Sequence, residues 1–243
     1  TYSIANIDNI EDLYLFGSAS INATGNVLAN ELRGNDNDNI LDGGEGNDAL
    51  IGGLGNDQLN GGEGIDSAVY LGIIDDYVIT TSDSSWFIEN KVGEGEGEGD
   101  TDTLTDIERL KFVDVSIAFD LDNHAGVVAK IIGAVFGKET LEKKDMVGIG
   151  LNLIDEGVDY TALMKLALEA KLGNGYTDSA EVALLYQNLT GVKPSEADLD
   201  FWVNTIETGQ NSQTSLAIFA ADHEINSTNI DLVGLTQTGI EYI

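Results

Sequence analysis

The chain has no cysteine, a single proline (Pro194) and only 11 Lys and Arg among 243 residues. Without cysteine there are no disulfides, no thiolate metal sites and no cysteine nucleophile. The scarcity of basic residues, against 43 Asp and Glu and a net charge of −32, leaves nothing to meet a phosphate backbone or an anionic lipid surface, so nucleic-acid and headgroup binding are excluded. No apolar run approaches the roughly 20 residues of a membrane-spanning helix, so membrane insertion is not expected. No leader is visible either, but the chain opens on Thr1 and reads as a fragment or processed product, so that absence carries little weight. Histidine is scarce: His124 and His223 stand alone, the latter between Asp222 and Glu224. With no GxSxG, HExxH or phosphate-binding glycine loop, there is no catalytic constellation, and the expectation is a protein that is not an enzyme.

What the chain has in abundance is glycine, 29 residues, and much of it is in register. GGEGND (43–48), GGLGND (52–57) and GGEGID (61–66) recur every nine residues, each followed two places on by Leu50, Leu59 or Ala68. The unit is GGxGxDxUx, the nonapeptide of calcium-binding β-roll repeats. Glycines at places one, two and four permit tight turns that a Cβ would obstruct. Backbone carbonyls and the place-six carboxylate then make an oxygen-rich site suited to Ca2+. The place-eight aliphatic residue supplies the core. Weaker units extend upstream as GNDNDNILD (34–42) and GNVLANELR (25–33), with Asn39 and Asn30 at place six and Leu41 and Leu32 at place eight. Five units therefore run from 25 to 69, and Leu13–Phe16 with Ile21 reads as strands covering the open end.

Beyond the repeats, 77–80 and 86–89 read as an antiparallel pair. GEGEGEGD (93–100), with Asp100 and Asp102, reads as an acidic linker rather than a further ion site, and TDTLTDIERLKF (101–112) as a segment pairing back onto the sheet. AFDLDNHAG (118–126) lacks the glycine and glutamate of an EF-hand loop, so Asp122 reads as a helix N-cap. From there the apolar period is helical: Val128, Ile131, Ile132 and Val135; Leu163, Leu166 and Ala170; Val182, Leu185 and Leu189; Leu199, Trp202 and Ile206; Leu216, Phe219 and Ala220. Asp178 with Glu181 resembles a capping box, Gly191 a C-terminal cap and Pro194 a helix start. VAKIIGAVFGKETLEKKDMV (128–147) parallels VALLYQNLTGVKPSEADLDFWV (182–203), which implies a duplicated helical unit. The fold class expected is multidomain α and β: a parallel β-roll with flanking antiparallel strands over 1–121, then a bundle of about five or six helices over 122–243.

Residues 25–69 resemble the RTX β-roll, and AVYLGIIDDYVIT…DTLTDIERLKF resembles the segment that closes such rolls. Residues of about 122–230, through LYQNLTGVKPSEADLDFWV and SLAIFAADHE, resemble the helical domain DUF4214. The combination is similar to C-terminal regions of proteins exported by Gram-negative type I secretion, and VGLTQTGIEYI would then carry the export signal. The resemblance implies Ca2+ between turns two repeats apart: carbonyls at places two and four and the place-six side chain of the earlier turn, with carbonyls at places one and three and the place-six side chain of the later one. One ion would use Gly44, Gly46, Asp48, Gly61, Glu63 and Asp66; a second, Asn35, Asn37, Asn39, Gly52, Leu54 and Asp57. A third would use Gly53, Gly55, Asp57, Tyr70, Gly72 and Asp75, and a fourth Asn26, Leu28, Asn30, Gly43, Glu45 and Asp48. About two to four ions are thus expected. The function implied is a non-catalytic, calcium-folded module, extracellular or at the cell surface, with the exporter as partner. The alternatives are a surface-layer or adhesin-type protein whose helical domain binds a ligand or a cell-surface or protein partner, and the tail of a larger secreted hydrolase.

Overall fold

The computed structural model describes residues 1–82, 85–91 and 99–243. It divides into two compact units, Thr1–Ala118 and Phe119–Ile243. The acidic stretch 93–98 lies outside the described residues apart from its final neighbours Gly99 and Asp100.

The first unit is a parallel β-roll. Its strands are β1 (Tyr2–Ser3), β2 (Asp12–Tyr14), β3 (Ala23–Thr24), β4 (Glu31–Arg33), β5 (Ile40–Glu45), β6 (Ala49–Ile51), β7 (Gln58–Glu63) and β8 (Ser67–Val69). After an excursion come β9 (Tyr77–Ser82), β10 (Ser85–Asn90), β11 (Thr101–Thr105), β12 (Arg109–Lys111) and β13 (Ser116–Ala118). Alternate strands go to opposite sheets. One runs β1-β3-β5-β7-β11-β10-β9, the other β13-β12-β8-β6-β4-β2. Pairing is parallel from β1 to β11 and from β2 to β12; β9, β10 and β13 add antiparallel strands at the far end.

Each strand is so short that it sends one large apolar side chain inward, and the sum of these is the core. Leu32, Leu50, Ala68 and Leu110 stack along one sheet, Ala23, Leu41, Leu59 and Leu104 along the other, and all eight are buried. The place-eight aliphatic residues of the nonapeptides thus point inward as expected. Beyond the last repeat, Tyr70, Tyr77 and Phe112 close the far end, with ring centroids 5.1 Å (Tyr70–Tyr77), 5.4 Å (Tyr70–Phe112) and 5.1 Å (Tyr77–Phe112) apart.

The second unit is helical: α1 (His124–Ile131), α2 (Lys144–Asp155), α3 (Tyr160–Leu172), α4 (Asp178–Thr190), α5 (Glu196–Glu207), α6 (Gln213–Asp222), α7 (Glu224–Asn229) and α8 (Leu232–Thr238), with a final strand β14 (Ile240–Tyr242). There are more helices than the period indicates, because α7 and α8 span only six and seven residues, too few to display a repeating face. Several boundaries are set by residues other than those expected. Thr177, not Asp178, caps α4, its hydroxyl accepting the Ala180 N–H at 3.2 Å, while Glu181 is fully buried instead of reaching back as a capping box requires. Asn123 occupies the cap position of α1 without a side-chain bond, and Asp120 accepts the Ala125 N–H there at 3.3 Å. Ser195, the residue after Pro194, caps α5. Gly191 ends α4 in the left-handed conformation (φ 77°), as the sequence implies. Both halves of the presumed duplication are helix–turn–helix, but the first carries a π-helical stretch, Ile132–Phe136, where the second has regular α-helix. Gly133 there packs against the buried Asn226, whose amide donates to Lys130 O and Ala221 O at 2.9 and 2.8 Å.

Candidate metal centre

The turns of the roll stack along two edges, each turn lying on the one 18 residues before it. On one edge are the turns ending at Asn30, Asp48 and Asp66; on the other, those ending at Asn39 and Asp57. A ladder of hydrogen bonds through place six holds them. Asn30 N–H donates to Asp48 Oδ1, Asp48 N–H to Asp66 Oδ1 and Asn39 N–H to Asp57 Oδ1, each at 2.7 Å. Each carboxylate therefore clamps the preceding coil through one oxygen, a charge-assisted bond to a buried amide.

The other oxygen faces a different situation. Asp48 and Asp66 are buried, and their Oδ2 atoms have no hydrogen-bond partner among the described residues. Burial pushes both carboxyls up to about 6, since an anion without compensation is costly in the interior. These oxygens lie against Gly43 and Gly61, where any Cβ would overlap them. The glycine at place one is thus needed to leave room for the carboxylate of its own turn.

Backbone oxygens converge on the interval between the Asp48 turn and the Asp66 turn. Gly44 and Gly46 adopt φ of 104° and 111°, and their carbonyls point forward onto Gly62 and Gly64, where a Cβ would collide with them. From the next turn the Gly61 carbonyl faces back toward Gly43, and Glu63 O accepts the Gly46 N–H at 2.9 Å. The structure therefore gathers Gly44, Gly46, Asp48, Gly61, Glu63 and Asp66 into one interval between two coils. Here Asp48 Oδ2 is without a proton donor among the described residues, Asp66 brings the Oδ1 that accepts the Asp48 N–H, and Asp66 Oδ2 turns toward Asp106 O of the next coil. Such a set of hard oxygen donors fits Ca2+. Among the described residues no three His, Asp or Glu side chains gather as a metal cluster; here carbonyls supply the majority of the oxygens.

The sets containing asparagine are assembled differently. Asn26 O and Leu28 O face Gly44 and Gly46, Asn35 O faces Gly53, and the Gly43 and Gly52 carbonyls face back onto Gly25 and Gly34. Glu45 and Leu54 occupy place three of their turns. The place-six amides, however, are engaged elsewhere: Asn30 Oδ1 accepts the Asn26 N–H at 2.8 Å and Asn39 Oδ1 the Asn35 N–H at 2.7 Å.

The set built on Tyr70, Gly72 and Asp75 is not assembled. After β8 the chain leaves the roll: Tyr70 N–H donates to Lys111 O, Gly72 N–H to the Tyr77 hydroxyl, and Asp75 lies in a 3-10 turn (Ile74–Asp76). The coil is completed instead by β11 and β12. Asp57 N–H donates to Asp102 Oδ1 at 2.9 Å and Asp66 N–H to Glu108 Oε2 at 2.8 Å, so Asp102 and Glu108 take the place-six positions. Gly55 N–H donates to Asp100 Oδ2 at 2.9 Å, which puts Gly53, Gly55 and Asp57 against the returning segment rather than against Asp75. Counting by nines misses these residues, but a signal exists: D-x-L at 102–104 and E-x-L at 108–110 repeat the end of the nonapeptide. Asp102 does not share the unpartnered inner oxygen of Asp48 and Asp66, because its Oδ2 accepts the Tyr70 hydroxyl at 3.2 Å. The turn between β11 and β12 has only Asp106, Ile107 and Glu108, with Asp106 at φ 50°. Glu108, one methylene longer than Asp, still reaches the Asp66 amide.

The helical unit presents a separate feature, an apolar groove of about 350 Å³ lined by Val182, Tyr186, Leu189, Trp202, Phe219 and His223, among others. Phe219 packs 6.0 Å from Trp202 and 5.8 Å from His223 between ring centroids. His223 Nδ1 accepts the Ile225 N–H at 3.2 Å, and His124 Nδ1 lies 2.6 Å from Asp155 Oδ1, so each histidine has a local structural role.

Comparison with known proteins agrees with the repeat geometry. The family described as RTX calcium-binding nonapeptide repeat (4 copies) matches residues 33–68. This segment is an RTX repeat array. No curated protein matches the chain. Among solved structures, the extracellular lipase LipA from Serratia marcescens is similar over 40% of this chain, at 15% identity and a TM-score of 0.35. The chain spans 15% of that lipase.

Proposed function

We propose that this chain is a calcium-folded, non-catalytic module of a secreted bacterial protein, exported by a type I system and acting outside the cell or at its surface. The observation that carries the reading is the pair of buried carboxylates Asp48 and Asp66, each keeping one oxygen without a proton donor among the described residues and in a space it shares with a carbonyl of the next coil, Gly61 O for Asp48 and Asp106 O for Asp66. In the absence of a cation that arrangement opposes its own formation. With Ca2+ supplying two positive charges, binding free energy becomes folding free energy. Extracellular sites of this class work at about 10⁻⁴–10⁻³ M, so the roll stays open in a low-calcium cytosol and closes outside. RTX repeats are typical of extracellular proteins, and no described helix is long and apolar enough to cross a membrane. The test is a calcium titration of the whole chain followed by circular dichroism. Strand signal that grows with calcium and vanishes in excess chelator supports the reading; a roll indifferent to chelator sinks it.

A second reading, an adhesin-type or surface-layer protein whose helical unit binds a ligand or partner, is favoured by the aromatic groove of α4, α5 and α6, where Phe219 is 54% exposed. A dye that brightens in apolar clefts should bind the wild-type chain and not Phe219→Asp. Equal binding by both would remove this reading. The third, the tail of a larger secreted hydrolase, is tested by whether a catalytic domain lies upstream in the gene product.

A further inference from the structure

We propose that the first inter-coil interval on each edge of the roll is closed without calcium, by asparagine side-chain amides that stand where cations stand further along. The idea rests on the calcium reading above and concerns which intervals load. On one edge, Asn26 Nδ2 donates to Ile7 O at 3.1 Å and Ile10 O at 2.8 Å, and Asn30 Nδ2 to Ile10 O at 3.1 Å. On the other, Asn35 Nδ2 donates to Gly17 O at 3.0 Å and Ala19 O at 2.9 Å, and Asn39 Nδ2 to Ile21 O at 2.7 Å. The donors repeat nine residues apart, Asn26 with Asn35 and Asn30 with Asn39, while the acceptors differ: Ile10 O takes both amides on the first edge, and Ala19 O and Ile21 O take one each on the second. In both, the place-six amide also donates to the place-two side-chain oxygen, at 3.2 Å for Asn30–Asn26 and 3.1 Å for Asn39–Asn35. All four asparagines are buried.

Asn26 and Asn35 carry the argument furthest. They stand at place two, where the later repeats have glycine, so their side chains are additions to the motif. Both reach backward into the interval before their own turn, and the place-six residue of that turn is an amide and not a carboxylate. An amide draws two carbonyl oxygens together with its two N–H groups, as a cation would, but it needs no counter-charge. The preceding turn at 17–21 contains no acid, and that at 7–10 contains only the exposed Asp8. A cation there would meet carbonyls and amide N–H groups with no buried carboxylate to balance it, only the exposed Asp8 on one edge and the exposed Asp36 on the other. The open end of the roll is thus a clasp independent of metal, and calcium enters only from the interval that Asp48 or Asp57 borders.

The experiment uses the full chain and Ca2+ alone. Calcium ions are located by anomalous scattering in crystals grown with calcium, and calcium midpoints of folding are measured for Asn35→Asp, Asn35→Gly and an Asn26→Ala/Asn35→Ala double variant. The expected crystal has calcium at the Asp48–Asp66 interval and none within bonding distance of Ile10 O or Gly17 O. Asn35→Asp turns the two donors into acceptors and should raise the midpoint several-fold. Asn35→Gly restores the motif and should also raise it. The double variant should bind as many ions as wild type while folding at a higher midpoint. An ion bound to Ile10 O or Gly17 O, a midpoint lowered or unchanged in Asn35→Asp, or ions lost in the double variant would overturn the proposal. If the double variant does not fold, the wild-type ion positions decide. Absence of calcium from the Asp48–Asp66 interval would instead defeat the parent reading.

Discussion

The two units of this chain solve the same problem with opposite means. In the helical unit, side chains carry the fold: Val128, Val147, Leu151, Met164, Leu168 and Leu185 are buried, and helix ends are met by Asp159, Thr177, Ser195 and Ser212. In the roll, each coil contributes few apolar side chains, and backbone carbonyls and carboxylates face one another across the coils. The roll also holds more than half of the acidic residues and only four of the basic ones. Under the proposed function, the roll depends on an external positive charge and the amphipathic helices do not.

Removing calcium should break the comparison most visibly. In excess chelator the strand signal in circular dichroism should be lost while most of the helical signal remains; loss of both together would mean the helices depend on the roll. Next in size are the ligand substitutions. Asp48→Ala or Asp66→Ala should raise the calcium midpoint well above that of Asp36→Ala or Asp42→Ala, whose carboxylates lie off the ligand places, and Asp57→Ala should do the same as the one place-six carboxylate between the Asn39 and Asp57 turns. Equal midpoints for all five variants would mean the wrong oxygens have been chosen. Leu104→Ala, in the fully buried stack of the returning coil, should cost about 2–5 kcal/mol of roll stability at saturating calcium, read by chemical denaturation, with the helical transition unmoved.

Glu181 sharpens the other side. Both its oxygens are buried without a hydrogen-bond partner among the described residues, and burial, helped by nearby Asp178, pushes its carboxyl from 4.5 up to about 8. Between these values the folded state holds a proton that the unfolded chain releases, so helical stability falls as pH rises from 4.5 and levels off above about 8. Glu181→Met should abolish that slope and stabilise the helical unit at neutral pH by an amount on the order of 3 kcal/mol. Melting curves at pH 5 and pH 8 would show it; parallel shifts at both would count against the assignment. The smallest effect is Thr177→Ala, which removes the α4 cap and should cost about 1 kcal/mol in the helical transition alone.

Much of the roll was legible in the sequence because its determinants are local: Gly43, Asp48 and Leu50 carry their structural meaning within one nonapeptide. The count failed where the chain inserts a hairpin. Asp75 is nine residues after Asp66 but off the roll, while Asp102 resumes the coil, and no count by nines reveals how much chain lies between. The asparagines were legible as variants of aspartate but not as donors, since the direction of an amide depends on the carbonyls it meets, here those of Ile10 and Ile21. In the helical unit the apolar faces were plain and the caps less so, because Asp178 and Thr177 are both good capping residues and only the backbone conformation chooses between them. Glu181, which with Asp178 resembles a capping box in the sequence, proved to be buried, because the cap position belongs to Thr177.

The hairpin of β9 and β10 also bears on the order in which the roll is completed. Within the repeats, each place-six bond joins residues 18 apart, as in Asn39 to Asp57, whereas Asp57 to Asp102 spans 45. Loop-closure entropy grows only with the logarithm of length, so the longer span costs about 0.8 kcal/mol more, less than a single well-made hydrogen bond returns. The detour is therefore cheap at equilibrium, and since short loops close faster than long ones, the coil of β11 and β12 is expected to pair after the repeats have stacked. A chain built this way can accept length at that point, between Tyr70 and Asp100, without redesigning anything before it.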